Sequence, residues 1–123
     1  DTMPYNSISF INLNSVKDLS KKIGKEIEFE RFRGNIYVKN MPSWKEMEFI
    51  GDIIKINNCN FKVTKAIPRC SATNLKPKTD KNTINLPQAL KKIYGHINMG
   101  IYLKPLNDGN INVNDKIHIH SKC

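Results

Sequence analysis

Cys70 is the residue of this chain best placed to do chemistry. It follows Pro68-Arg69 at the end of an apolar run and precedes a long polar stretch. A neighbouring guanidinium favours the charged form of a thiol, and thiolates serve as nucleophiles, sulfur carriers and soft-metal ligands. The competing reading is a small buried hydrophobe, the commonest fate of a free cysteine. Cys59, beside a turn and ahead of Phe61, fits that structural reading better.

Arginine is the second signal. The 20 basic residues comprise 17 lysines and only 3 arginines, at Arg31, Arg33 and Arg69. In a lysine-using chain a guanidinium marks places where an ammonium cannot substitute, because its planar fork binds carboxylate or phosphate bidentately. Phe32, Tyr37 and Trp44 lie near two of these arginines and could stack bases. They read more simply as the inward face of a strand.

His118, His120 and Cys123 form H-x-H-x-x-C, and strand alternation would put both histidines on one face, as a Zn²⁺ site requires. No second cluster supplies a fourth ligand, so a solvated strand end is the simpler reading. Nothing in the sequence brings His96, His118 or His120 to Cys70 as a catalytic base. Walker loop, GxGxxG, HExxH, CxxC, zinc-finger, helix-turn-helix and RNA-recognition signatures are all absent.

These residues need a scaffold to position them. Ile8–Ile11 reads as an edge strand or entry segment. Val16, Leu19 and Ile23 give a helical stripe that Asn14 or Ser15 is expected to cap and Gly24 to end. Arg31 to Lys39 reads as a strand centred on Asn35–Lys39. Trp44–Gly51 reads as a loop or short turn. Ile53–Ile56, Asn57-Asn58 and Phe61–Ile67 read as a β-hairpin, which Pro68 ends. Residues 71–85 are a polar connection long enough to suggest function. Pro87 opens a short helix that Gly95 closes. Ile101–Leu103 and Ile111–Ile119 finish the chain as strands, with a turn at Asn107–Gly109. No internal repeat or linker interrupts this order. The implied fold is mainly β, a barrel or open curved sheet with a few short helices.

In that frame several stretches resemble the MOSC domain family, named for the C-terminal domain of molybdenum cofactor sulfurase. Arg31-Phe32-Arg33-Gly34-Asn35-Ile36-Tyr37-Val38 resembles its R-F-R-x-N-[IL]-x-[VI] strand. Trp44-Lys45-Glu46 with Phe49-Ile50-Gly51 resembles its W-x-E…IG segment. Pro68-Arg69-Cys70-Ser71-Ala72-Thr73-Asn74 resembles its R-C-x-x-T stretch, with Pro77 and Thr79 near the P-x-T that follows. Gly95-His96, Gly100-Ile101-Tyr102 and the run from Gly109 to Asp115 resemble its closing pattern.

The resemblance implies a β-barrel and a site for molybdenum cofactor, or a sulfur-carrying role. Pyridoxal phosphate binding is a further association of the family. In molybdenum-bearing members the cysteine matching Cys70 is the catalytic metal ligand, and the residues matching Arg33 and Asn35 contact the cofactor. Arg69, next to Cys70, joins the same candidate set. The implied partners are the cofactor or a sulfur donor, with an electron-transfer protein if the whole is an oxidoreductase acting on N-hydroxylated compounds. Complete family domains carry further N-terminal strands, so residues 1–123 are expected to be the C-terminal portion of such a domain.

Composition sets the outer limits. The 123 residues predict one modest domain, and no apolar run approaches the ~20 residues that span a bilayer. Net charge is +9, which by itself points to a basic binding module for nucleic acid or an acidic partner, the rival to the cofactor reading. The lysines are dispersed, however, and 16 Asn and 17 Ile accompany them. All three residue types have A/T-rich codons, so codon bias explains much of the charge, and nucleic acid is not the expected partner. Three cysteines without a secretory signal fit a reducing cytoplasm.

Overall fold

The computed structural model describes residues 7–79, 81–107 and the backbone of 117–120. Strand β1 (Ile8–Asn12) runs directly into helix α1 (Leu13–Ile23). Asn12, rather than Asn14 or Ser15, caps α1, its side-chain oxygen accepting from the Asn14 N–H, and Gly24 ends it in the left-handed conformation. Strand β2 (Ile36–Val38) follows. The hairpin β3 (Ile53–Ile56) and β4 (Cys59–Pro68) comes next. Helix α2 (Leu86–Tyr94) starts from the Asn85 cap with Pro87 in its first turn. Strands β5 (Asn98–Pro105) and β6 (Ile117–His120) complete the order.

One curled sheet, a half-barrel, joins the six strands in the order β2-β1-β5-β4-β3-β6. Only β1 and β2 are parallel; every other neighbour is antiparallel. The sheet therefore matches the mainly β expectation. Ile8–Asn12 is corrected: it is an interior strand between β2 and β5, with four of its five residues buried. The Arg31–Lys39 run is corrected too. Its first two residues, Arg31 and Phe32, end the 3₁₀ turn Phe29–Phe32, and only Ile36–Val38 pairs as strand. Burial explains this, since the turn drops Arg31 and Phe32 into the interior together.

Alternation along the strands divides the core in two. Phe10, Ile54, Ile56, Phe61, Val63, Ile101 and Leu103 pack in one cluster. Ile11, Val16, Leu19, Phe32, Leu86, Leu90 and Met99 pack in the other, which joins both helices to the sheet. Met99 and Ile101 lie two apart yet face different clusters. Gly100 makes this possible: its φ of 86° coincides with a shift of pairing between Ala66 and Pro68 of β4, a bulge that resets the pleat.

Candidate functional site

The candidate site is assembled where β4 ends, β5 begins and the turn before β2 comes across. Pro68 closes the β4 ladder against Asn98, and the next residue's N–H, that of Arg69, donates to the Ile97 carbonyl at 2.8 Å. Arg69 then turns inward. Its Nε donates to the Met99 carbonyl and its Nη1 to the Phe32 carbonyl, both at 2.9 Å. The guanidinium lies over the Phe32 ring, 5.2 Å from its centroid. Nη2 is buried without a hydrogen-bond partner. Burial pulls the Arg69 pKa down to about 10, opposed by the nearby Tyr102, Cys70 and Tyr37. The bulge at Gly100 leaves the Met99 carbonyl to be satisfied, and Arg69 satisfies it.

Arg31 makes the return reach. It is 5% exposed, and its Nε pairs with Glu28 at 2.6 Å, holding that carboxyl below the usual range. Its Nη1 donates to the carbonyls of Thr73 (3.3 Å) and Asn74 (2.9 Å), and its Nη2 to the Thr83 hydroxyl at 2.6 Å. Each segment thus carries an arginine that grips the other. The clamp ties Arg33, one residue past Phe32, to Cys70, one residue past Arg69, through the Arg69–Phe32 hydrogen bond.

Those two residues face solvent. Cys70 is an exposed free thiol at the start of the 3₁₀ turn Ser71–Asn74, and its carbonyl accepts from the Thr73 N–H and hydroxyl. Arg33 is exposed in the left-handed region, φ 50°, and its guanidinium has no hydrogen bond or ion pair among the described residues. Asn35 commits its side-chain oxygen to the Ser9 N–H (2.8 Å) and hydroxyl (3.0 Å), which leaves its amide N–H₂ to donate elsewhere.

The expected set therefore separates into two kinds. Arg33, Asn35 and Cys70 present groups outward, whereas Arg69 and Arg31 are spent inside. Phe32 is wholly buried and Tyr37 half-buried, so the base-stacking option for that strand loses its main ring. Cys59 is buried in the core, as expected. Trp44 donates from its ring N–H to Asp18, which also accepts from the Tyr94 hydroxyl. Trp44, Tyr94 and His96 form an aromatic cluster, and the His96 ring accepts from the Asn98 N–H rather than serving Cys70. His118 and His120 belong to β6 by backbone pairing with β3; their side chains, and Cys123, lie outside the described residues. No group of three metal-ligating side chains occurs among the described residues.

Gly100 escaped functional reading from sequence, although a glycine inside an apolar strand run signals a bulge or close approach. A Cβ there would stand 3.2 Å from Arg69 Nη2 and 2.6 Å from Ile11 Cδ1. A groove of about 770 Å³ opens elsewhere, between α1 and residues 25–30, and none of the four expected site residues lines it.

Residues 3–118 match the family model described as the MOSC domain. The fold is similar to the crystal structure of YiiM from Geobacillus stearothermophilus, with a TM-score of 0.69 and 16% identity, covering 93% of this chain and 54% of that one. The chain thus spans about half the length of the solved structure it matches. No curated protein matches its sequence. No helix among the described residues is long and apolar enough to cross a membrane.

Proposed function

This chain belongs to the MOSC domain family, and on that premise we propose that it holds molybdenum cofactor, or carries sulfur, at Cys70. One observation carries the reading: an exposed free thiol, Cys70, and an unpartnered guanidinium, Arg33, each stand one residue beyond a partner of the Arg69–Phe32 hydrogen bond. The donor chemistry fits the group. A soft thiolate suits a sulfur-ligated metal. An exposed Arg fork suits a phosphate, and the free amide N–H₂ of Asn35 suits an acceptor on a pterin edge. Arg69 fits differently from its expected contact role, as a half-buried brace between the segments that carry the other residues. None of the four residues is an amine able to form an imine, so pyridoxal phosphate chemistry finds no support in this set.

When bound, the cofactor would supply redox chemistry at a metal. For an N-hydroxylated compound that means cleaving an N–O bond with electrons and protons from a partner protein, releasing water. The chain's own residues would anchor the metal through Cys70 Sγ and orient the organic part through Arg33 and Asn35. In the sulfur-carrier form the Cys70 thiolate would attack the outer sulfur of a donor persulfide, breaking the donor's S–S bond. The donor thiolate is released and the persulfide is left on Cys70, with no net change of oxidation state.

The test is metal analysis together with pterin fluorescence on protein from a cofactor-producing host. Stoichiometric molybdenum and pterin, lost in Cys70→Ser and lowered in Arg33→Ala, is the expected result. Absence of both in every variant removes the cofactor half. A persulfide assay at Cys70 decides the sulfur half independently.

A further inference from the structure

The segment after Cys70 is built more firmly than a surface loop requires. Leu75 and Asn82 pair as an antiparallel bridge, and the Lys76 N–H donates to the Lys81 carbonyl at 2.8 Å. At the tip, the Thr79 N–H returns to the Lys76 carbonyl (3.1 Å), so Pro77 and Lys78 are the central residues of a tight turn. The Thr79 hydroxyl reinforces it from both sides, donating to the Lys76 carbonyl at 2.8 Å and accepting from the Lys81 N–H at 3.2 Å. At the base, the Thr83 N–H donates to the Asn74 carbonyl, and buried Arg31 grips Thr73, Asn74 and Thr83 together.

This framework displays lysines. Lys76, Lys78 and Lys81 are all exposed, and none of their ammonium groups is hydrogen-bonded or ion-paired among the described residues. Glu28 feels the charge of Lys76, while its own bond goes to Arg31. Asp80 is the single acidic residue of the 75–83 stretch. Lys78 adds a second observation. Its φ of 63° occupies the turn position after proline where glycine is the least strained residue. A lysine placed there against backbone preference is consistent with use of its charge.

We propose that the 75–82 hairpin is a docking tip for the acidic face of a partner protein that approaches the Cys70 end of the sheet. A pre-ordered loop loses little conformational entropy on association, and its charges steer and orient the encounter. Nucleic acid fits less well, because residues 71–85 contain neither an arginine nor an aromatic side chain to fork a phosphate or stack a base. Docking here needs no cofactor at Cys70, and the test leaves Cys70 intact.

The probe is a labelled peptide of about fifteen glutamates, run beside duplex DNA of similar charge and phosphatidylserine vesicles. The protein is expected to bind the peptide with an affinity that falls steeply as salt rises. Lys76→Glu, Lys78→Glu and Lys81→Glu together should weaken binding about tenfold or more. Lys17→Glu, Lys39→Glu and Lys104→Glu, an equal change of net charge at exposed lysines elsewhere, should weaken it less than about threefold. Lys78→Gly should fold at least as stably as the parent and still bind about threefold more weakly. Equal losses in the two triple variants, or full binding by Lys78→Gly, would overturn the proposal. So would DNA or vesicles held more tightly than the peptide through the same lysines.

Discussion

Arg69 Nη1 donates to the Phe32 carbonyl at 2.9 Å, joining residues 37 apart in sequence and fixing where the neighbours of both must stand. The same guanidinium holds Met99. Removing it strands two carbonyls but also removes a desolvated cation. Arg69→Met should therefore destabilise by about 1–3 kcal/mol, and Arg69→Lys should not restore the loss, because one ammonium cannot span both acceptors. Urea denaturation decides this; a Lys variant as stable as the parent would show that the fork is not needed.

Arg31 and Arg33, two residues apart, should behave oppositely. Arg31→Ala leaves Glu28 without its partner and buried carbonyls without donors, a loss of about 3 kcal/mol. Arg33→Gly removes an exposed, unpartnered side chain from a left-handed residue and should be neutral or stabilising by up to about 1 kcal/mol. Thermal unfolding of the two variants side by side is the check.

Two glycines with similar φ separate strain from crowding. Gly95 (81°) has nothing within 4 Å of an added Cβ, whereas at Gly100 (86°) the Phe10 carbonyl oxygen would be 3.0 Å away and Ile11 Cδ1 2.6 Å. Gly95→Ala should cost about 1 kcal/mol of backbone strain, and Gly100→Ala clearly more. Comparable midpoints in denaturant would contradict the close packing at the bulge.

Glu46 is wholly buried, hydrogen-bonded by Asn12 and Ser15, and burial raises its carboxyl above the ordinary 4.5. The folded state therefore holds the proton more tightly than the unfolded chain. This contribution to stability is complete below 4.5 and is lost as pH rises through the folded value. Glu46→Gln should flatten that part of the profile as pH rises above 4.5. Stability measured across the range in both proteins gives the difference directly, and parallel curves would refute the shift.

Thiol labelling should distinguish the described cysteines. Cys70 is exposed and Cys59 is 4% exposed inside the core, so a water-soluble disulfide reagent should modify Cys70 in the native protein. Cys59 should react only on unfolding. Peptide mapping after a short exposure settles the order, and early modification of Cys59 would mean that the β3–β4 core opens.

The elements were legible where local chemistry decides them. The α1 stripe with Gly24, the β3–β4 turn at Asn57-Asn58 and Pro87 opening α2 are written in spacing and capping residues alone. The 3₁₀ turn at Phe29–Phe32 was not, because Arg31 and Phe32 both face inward, and a buried arginine breaks the polar-out alternation on which a strand reading depends.

The same divide runs through the site. Residue types alone singled out Cys70 and the three arginines, since thiol and guanidinium chemistry is intrinsic to the side chain. Only the tertiary structure decided which arginines are free. Desolvating a guanidinium is tolerable only where carbonyls and a carboxylate converge from distant segments, as Met99 and Phe32 do on Arg69, and Thr73, Asn74 and Glu28 do on Arg31. That convergence is long-range geometry. It leaves Arg33 facing outward and turns the other two arginines into the clamp that joins its segment to that of Cys70.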